Sequence, residues 1–402
     1  MLCIKIKNNN IYYRLIMSLP LVSQIFDPIY HSNSRTEFKV FGRDRVYLSK
    51  MRVSSFGVSS VTNPLPVPQA SFNVEGGVLS LIKQASLYFN DILVDQVKDA
   101  SKVLSIQTNV MSSYTASNIA YHKLATGIVP EWDAEVPEIL SLAPVSRKLL
   151  GLVHLDSVFP VLRTLTFLPD IYEIRIVFEY ESNKNLIFTT PLPVTFTVSE
   201  PKLIIDESMD MAENASLLKK QIAIQVPCIL TERVVVSQSV NPQSIRLRAF
   251  DGMNLIRLVA NAVVNNTPDD VLCASKSDAI EGEVINFMVN GAKLLPFNGL
   301  NHPQKKLYIA GSSMGDHLSP FGGADINLVG DAFDTFEDVY SNQVINATSA
   351  KLAYTAVDIN NRVNRLDFEV SKTLAQTIYY YFYGVVFKYV VKKGDTVETG
   401  YV

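Results

Sequence analysis

Five histidines are the first residues to test for chemistry: His31, His122, His154, His302 and His317. Imidazole is the usual proton carrier near neutral pH and the commonest metal ligand. None of the five falls into an HxH or HExxH pattern, so no pair stands at ligand spacing. His302 and His317 share a glycine-rich stretch with Asp316 and Asp325, which reads more simply as loop polarity than as a metal site. Gly311-Ser312-Ser313-Met314-Gly315 has the spacing of a nucleophile elbow with Ser313 at its centre. An elbow holds its serine on a sharp strand-to-helix turn, and no strand-then-helix pattern surrounds Ser313. Gly322, Gly323 and Gly330 lack the Lys-Ser/Thr element of a phosphate loop. Asp331, Asp334, Glu337 and Asp338 cluster as calcium ligands do, but a solvated loop face is the simpler reading. No catalytic residue, cofactor or metal is expected, and the chain reads as not an enzyme.

With 402 residues, 48% of them hydrophobic, the chain can bury two ordinary cores or one large β core. A net charge of −3 supplies no basic field for nucleic acid, and sequence-specific binding to it is not expected. Short basic runs such as Lys219-Lys220 and Lys392-Lys393 suit the solvated ends of elements. Cys3, Cys228 and Cys273 are too few for a disulfide framework and form no CxxC pair, which points to a reducing compartment. Asn214, Asn265 and Asn346 head glycosylation sequons, a motif that often arises by chance. No membrane span is expected, since Pro, Lys or polar residues interrupt every apolar stretch. Near the start, Arg14 breaks what would otherwise resemble a signal peptide, and Met17 is an alternative initiator.

The elements around these residues read as β. Ala85, Leu87 and Phe89 alternate with polar residues, continuing from Leu79 and Leu81, and Asn90-Asp91 marks a hairpin before Ile92, Val94 and Val97. Val103, Leu104, Ile106 and Val110 fit a short helix or another strand. Further strands are expected at Phe38–Phe41, Val46–Val53, Phe159–Leu168, Ile171–Tyr180, Pro191–Val198 and Lys202–Ile205. Asp206–Lys220 has no β-branched residue, opens acidic and closes with lysines, which predicts a linker helix. Beyond it, Ile222–Val226, Ile245–Ala249, Leu255–Val264, Val284–Val289, Val339–Ile345, Leu366–Val370 and Thr377–Lys392 read as strands. Asp251-Gly252 and Asn290-Gly291 are hairpin signals. The long irregular stretches, 113–157 and 298–336, are of a length that usually forms contacts or carries function. The expectation is an all-β chain. Residues 1–34 form an arm, 35–205 a first sandwich, 206–220 the linker helix and 221–402 a second sandwich.

This order resembles the double jelly-roll major capsid proteins of adenovirus-like, polinton-like, virophage and large-DNA-virus lineages. The residues that carry the resemblance are Gly77–Leu87 in the early hairpin, Pro201–Lys220 at the junction, and Asn286–Leu294 around the Asn290-Gly291 turn. Asn360–Asn364 before the last strands adds to it. The resemblance implies two consecutive eight-stranded jelly rolls joined by a short helical linker, with long inserted loops. It implies a homotrimer that presents six rolls as a pseudo-hexagonal capsomer. Its partners would be neighbouring capsomers and penton or minor capsid proteins, in a virion assembled inside the host cell. The inserted loops, holding Trp132 and Pro137 in the first half and His302, Tyr308 and His317 in the second, would form towers and intersubunit contacts. The alternative is a spike-like β-sandwich that binds a receptor or a carbohydrate.

Overall fold

The computed structural model describes residues 21–62, 72, 77–106, 147–168, 170–188, 195–209, 222–237, 242–264, 280, 282–295, 299–301, 355–373, 376–393 and 396–401. In the first half the strands are β1 (Leu21–Phe26), β2 (Tyr30–His31), β3 (Arg35–Phe41), β4 (Arg52–Thr62), β5 (Ile82–Phe89), β6 (Ile92–Val97), β7 (Arg147–His154), β8 (Glu173–Tyr180), β9 (Thr195–Val198) and β10 (Lys202–Ser208). In the second they are β11 (Ile222–Val236), β12 (Gln243–Arg246), β13 (Met253–Val264), β14 (Val284–Val289), β15 (Ala292–Lys293), β16 (Thr355–Val363), β17 (Leu366–Ser371), β18 (Ile378–Lys393) and β19 (Thr396–Tyr401).

The two halves repeat one another. The first half builds one sheet in the order β1-β10-β4-β7 and a second in the order β2-β3-β8-β5-β6. The second half builds β11-β18-β13-β16 and β12-β17-β14-β15. When β2, β9 and β19 are set aside as additions, each half keeps eight strands. Counted along the chain, those eight are ordered 1-8-3-6 in one sheet and 2-7-4-5 in the other, in both halves. Neighbours pair antiparallel, as in β1–β10, β11–β18, β3–β8 and β12–β17. Two such sheets face to face are a jelly roll.

The same turn chemistry sets the same corner in each roll. Asn90 and Asp91 have φ of 49° and 63°, and Asn290 and Gly291 have 53° and 83°. Both pairs fit the left-handed turn that matches strand twist, a conformation tolerated best by Asn, Asp and Gly. Each asparagine then clasps the seventh strand of its roll. The Asn90 amide donates to the Glu173 carbonyl at 2.9 Å, and the Glu173 amide donates to Asn90 Oδ1 at 3.1 Å. In the second roll the Asn290 amide donates to the Arg365 carbonyl at 2.8 Å, and the Arg365 amide donates to Asn290 Oδ1 at 3.1 Å. Asn290 Oδ1 also accepts from the Asn364 amide at 2.8 Å. Replacing Asn290 by alanine should cost about 2 kcal/mol, from lost hydrogen bonds and a β-carbon at positive φ. Urea denaturation measures it; an unchanged midpoint would exclude a structural role for the clasp.

Several expected elements differ. Gly77–Leu81 is a 3-10 turn, and the strand begins at Ile82. Tyr47 and Leu48 form isolated bridges, and β4 begins only at Arg52. Residues 160–164 form a short helix where a strand was expected, with Pro160 in the first turn, and another short helix, 155–158, precedes it at the end of the stretch read as irregular. Among their buried residues, Leu155, Val158 and Leu162 stand three and four apart, a helical rather than a strand period. Asp251-Gly252 is a turn between two different sheets, not a hairpin, because β12 and β13 do not pair. The segment assigned to the arm includes β1, which pairs along its whole length with β10. That pairing continues to Ser208, so the strand runs three residues into the span assigned to the linker helix. Residues 210–221 lie outside the described residues, as does the strand expected at Val339–Ile345.

Candidate assembly surfaces

Trp132, Pro137, His302, Tyr308 and His317 lie outside the described residues. So do the elbow-like Ser313, the acidic cluster at Asp331–Asp338 and the three sequons. Among the described residues no group of three or more His, Cys, Asp and Glu could hold a metal ion. His31 Nδ1 lies 2.8 Å from the Thr36 hydroxyl. His154 ends β7 with Nε2 buried and unpartnered, and burial lowers its pKa. Thr36 is fully buried and its hydroxyl also accepts from the Tyr180 hydroxyl at 2.6 Å, so the His31 contact belongs to a buried packing network. No helix among the described residues is long and apolar enough to cross a membrane. What the described residues build instead are surfaces.

One lies between the rolls. β18 is apolar in almost every position because both of its faces are covered. Ile378, Tyr380, Phe382 and Val386 enter the core of the second roll. Tyr381 and Tyr383 point the other way, into the cluster that fills the first roll. Val259 and Val263 of β13 and Val226 of β11 join them there. From the first roll come Val97 of β6, then Ala100, Val103 and Leu104 of the helix Ala100–Ile106, and Val161 and Leu162 of the helix Pro160–Thr164. The Lys102 ammonium caps this contact 3.9 Å from the centre of the Tyr381 ring. The Thr399 hydroxyl on β19 donates to the Leu93 carbonyl on β6 at 3.5 Å. Burial pushes the Tyr383 hydroxyl well above its ordinary pKa, so it stays neutral. Burial also pushes the Cys228 thiol up to about 12, which makes it an inert packing group.

Two exposed surfaces remain. Among the described residues β1 is an edge strand of its sheet. Its Leu21, Val22 and Ile25 are solvent-exposed, Ile25 by 67%, and Ile29 and Tyr30 continue the apolar strip onto β2. An apolar edge with unpaired backbone groups is a surface that natural proteins usually cover. The second surface is a corner of the first roll. There the exposed rings of Phe41 and Tyr172 meet edge to face at 5.6 Å. Charges surround it: Lys39 pairs with Glu173 at 2.6 Å, and Arg175 reaches Asp91 at 3.2 Å while lying 4.3 Å from the centre of the Tyr88 ring.

The sequence reading missed both the inter-roll contact and the β1 edge. The first had a signal in the unbroken apolar run of Thr377–Lys392, which fits a strand covered on both faces. β1 had only six residues of weak alternation.

No family model matches the chain, and no curated protein matches it by sequence. Solved structures do match. The mavirus major capsid protein aligns over 94% of this chain and 90% of its own, with a TM-score of 0.56 and 8% sequence identity. The Faustovirus major capsid protein aligns over 94% of this chain and 91% of its own, with a TM-score of 0.54 and 8% identity. The capsid structure of the PBCV-1 virus aligns over 96% and 97%, with a TM-score of 0.52 and 8% identity. At such identities the likeness is one of fold, and it runs the length of both partners. With its two rolls repeated strand for strand, this chain has the double jelly-roll fold of viral major capsid proteins.

Proposed function

We propose that this protein is a structural capsid protein and not an enzyme. In this reading it assembles as a homotrimer whose six jelly rolls form a pseudo-hexagonal capsomer of an icosahedral virion. Neighbouring capsomers and penton or minor capsid proteins are its partners. The observation that carries the reading is the repeated strand order. Two rolls of one topology, locked side by side through β18, give a subunit with approximate internal two-fold repetition, and three subunits in a ring then present six similar units. The exposed strip on β1 and β2 is the kind of surface that such assembly covers. The inserted loops that carry Trp132 and Pro137, and His302, Tyr308 and His317, serve as towers or intersubunit contacts. The segments 1–34, 35–205, 206–220 and 221–402 act as arm, first roll, linker and second roll, with β1 drawn from the arm into the first roll.

Light scattering coupled to size exclusion tests this directly. The expected mass is that of three 44.7 kDa chains. A persistent monomer at high concentration would overturn the trimer. Deleting Glu131–Leu140 should leave a soluble β-rich protein but weaken the trimer, read as a shift to monomer on dilution; unchanged trimer stability would exclude that loop from the contact. The exposed Phe41–Tyr172 corner favours a second reading, a carbohydrate-binding sandwich, since sugars stack on open aromatic rings. Glycan binding by a monomer, abolished in Tyr172→Ala, would favour it over the capsid reading.

A further inference from the structure

The contact between the rolls has a direction. The first roll gives its flank: β6, at the end of its sheet, with the helices Ala100–Ile106 and Pro160–Thr164. The second roll gives the outer face of its sheet β11-β18-β13-β16, through Tyr381, Tyr383, Val259 and Val263. A flank meets a sheet, so the two sides differ and the contact is heterologous. Because both rolls share one strand order, the chain carries a second copy of each surface that its own fold leaves unmated. The spare sheet is β1-β10-β4-β7 of the first roll, and the spare flank is the β14–β15 edge of the second.

Cross-strand register sets which side chains the spare sheet turns outward. Phe26, Leu203, Val53 and Val153 form one row across β1, β10, β4 and β7 and pack in the core. The adjacent row is Ile25, Ile204, Arg52 and His154, and adjacent rows face opposite sides. Ile25 and Ile204 therefore lie on the outer face, and Leu21 falls on the same side as Ile25. On β7, Leu149 packs against the core while Leu150, opposite Gly57, turns outward and is 42% exposed. The charges on this face are answered within it: Arg52 pairs with Asp206 at 2.9 Å, and Lys202 pairs with Asp27. What the face offers a partner is apolar. On the spare flank, Ala292 and Lys293 follow the Asn290-Gly291 turn as Ile92 and Leu93 follow Asn90-Asp91, and both are exposed. Leu93 is the residue whose carbonyl meets Thr399 of the second roll.

We infer that the outer face of β1-β10-β4-β7 seats the β14–β15 flank of a second copy of this chain, repeating between chains the contact that the rolls make within one. The contact presupposes self-assembly as proposed above, and it specifies which surfaces meet and in which sense. Each added copy brings one free sheet and one free flank, so growth continues until a ring closes. The apolar strip on β1 is covered in the process.

Two variants at exposed positions test the contact, Ile25→Lys on the sheet and Ala292→Glu on the flank. Each should keep the wild-type circular dichroism spectrum. Each should raise the concentration at which the assembly half-dissociates by about tenfold or more, read by light scattering on dilution. Leu150→Lys, on another strand of the same face, should act as Ile25→Lys does. At a concentration where Ile25→Lys and Ala292→Glu are each monomeric, an equal mixture should give dimers and nothing larger, because one intact sheet can still meet one intact flank. A mixture that stays monomeric overturns the sheet-to-flank pairing. A wild-type trimer left unweakened by both Ile25→Lys and Leu150→Lys overturns the proposed surface while the trimer stands. Wild-type protein that remains monomeric at high concentration overturns the trimer and this contact together.

Discussion

Gly57→Ala should destabilise the first roll by about 3 kcal/mol or more, a large share of the total stability of an ordinary domain. Gly57 sits in the middle of β4 with φ of +145°, a conformation that residues with a side chain rarely adopt. A β-carbon there would stand 2.1 Å from the carbonyl oxygen of Leu149 on the paired strand β7. That neighbour is backbone, so relief requires parting the two strands. The site is also a bulge. The β4–β7 register shifts between Val53 and Phe56, and Ser55 has φ of 54°. The Ser199 amide donates to the Gly57 carbonyl at 2.9 Å, and the Ser199 hydroxyl donates to Ser55. The bulge turns Phe56 fully into the core, against Phe178 at 5.3 Å. Strain at such a φ costs roughly 1–3 kcal/mol, and forced overpacking roughly as much again. Gly252→Ala is the control. It has φ of +78° but nothing within 4 Å of the added carbon, so it should lose only about 1–2 kcal/mol. Equal denaturation midpoints for Gly57→Ala and wild type would rule out this account of the strand.

Phe368→Ala should cost the second roll about 3–5 kcal/mol. Its ring is fully buried on β17 and lies 4.8 Å from Tyr380, 4.9 Å from Phe382 and 5.5 Å from Phe287. Removing it opens a hole among three large rings fixed by two different sheets, and rings so placed collapse poorly into the space. Tyr380 is further tied by the hydrogen bond from its hydroxyl to the Glu283 carboxylate. Phe368→Leu keeps most of the volume and should lose under about 1.5 kcal/mol. Urea titration measures both. Because β18 serves both cores, loss of the second roll uncovers the first, and the chain should unfold in one transition. A Phe368→Ala protein as stable as Phe368→Leu would show that the ring cluster does not bear the core.

Much of the fold was legible in the sequence because jelly-roll strands half-buried on one face alternate in the expected way. β8, with Ile174, Ile176 and Phe178 inward, and β14 were clear for that reason. The hairpin turns were clearer still, since Asn90-Asp91 and Asn290-Gly291 carry their own backbone preference. The failures have a common cause. Val161 and Leu162 are as apolar as strand residues, and only the helical spacing from Leu155 and Val158 separates the two readings. Gly77–Leu81 shares its period with the strand that follows it. Asp206 and Glu207 suggested a helix dipole, but Asp206 accepts from Arg52 at 2.9 Å and from Ser23 at 2.6 Å, so its charge is answered across strands β4 and β1. Nothing local marks Leu93 and Thr399 as neighbours, since their contact exists only once the rolls are docked.

The docking of the rolls also sets an order of events during synthesis. Leu93 and Thr399, which meet across the inter-roll contact, are 306 residues apart in sequence. Contacts that close so long a loop form late and slowly. Until β11, β18 and β19 are made, the first roll leaves the ribosome with the side around Val97, Val103 and Leu104 uncovered. A cell producing this chain in quantity must keep that side from meeting other nascent copies, so demand for chaperones should peak between completion of β10 and completion of β18.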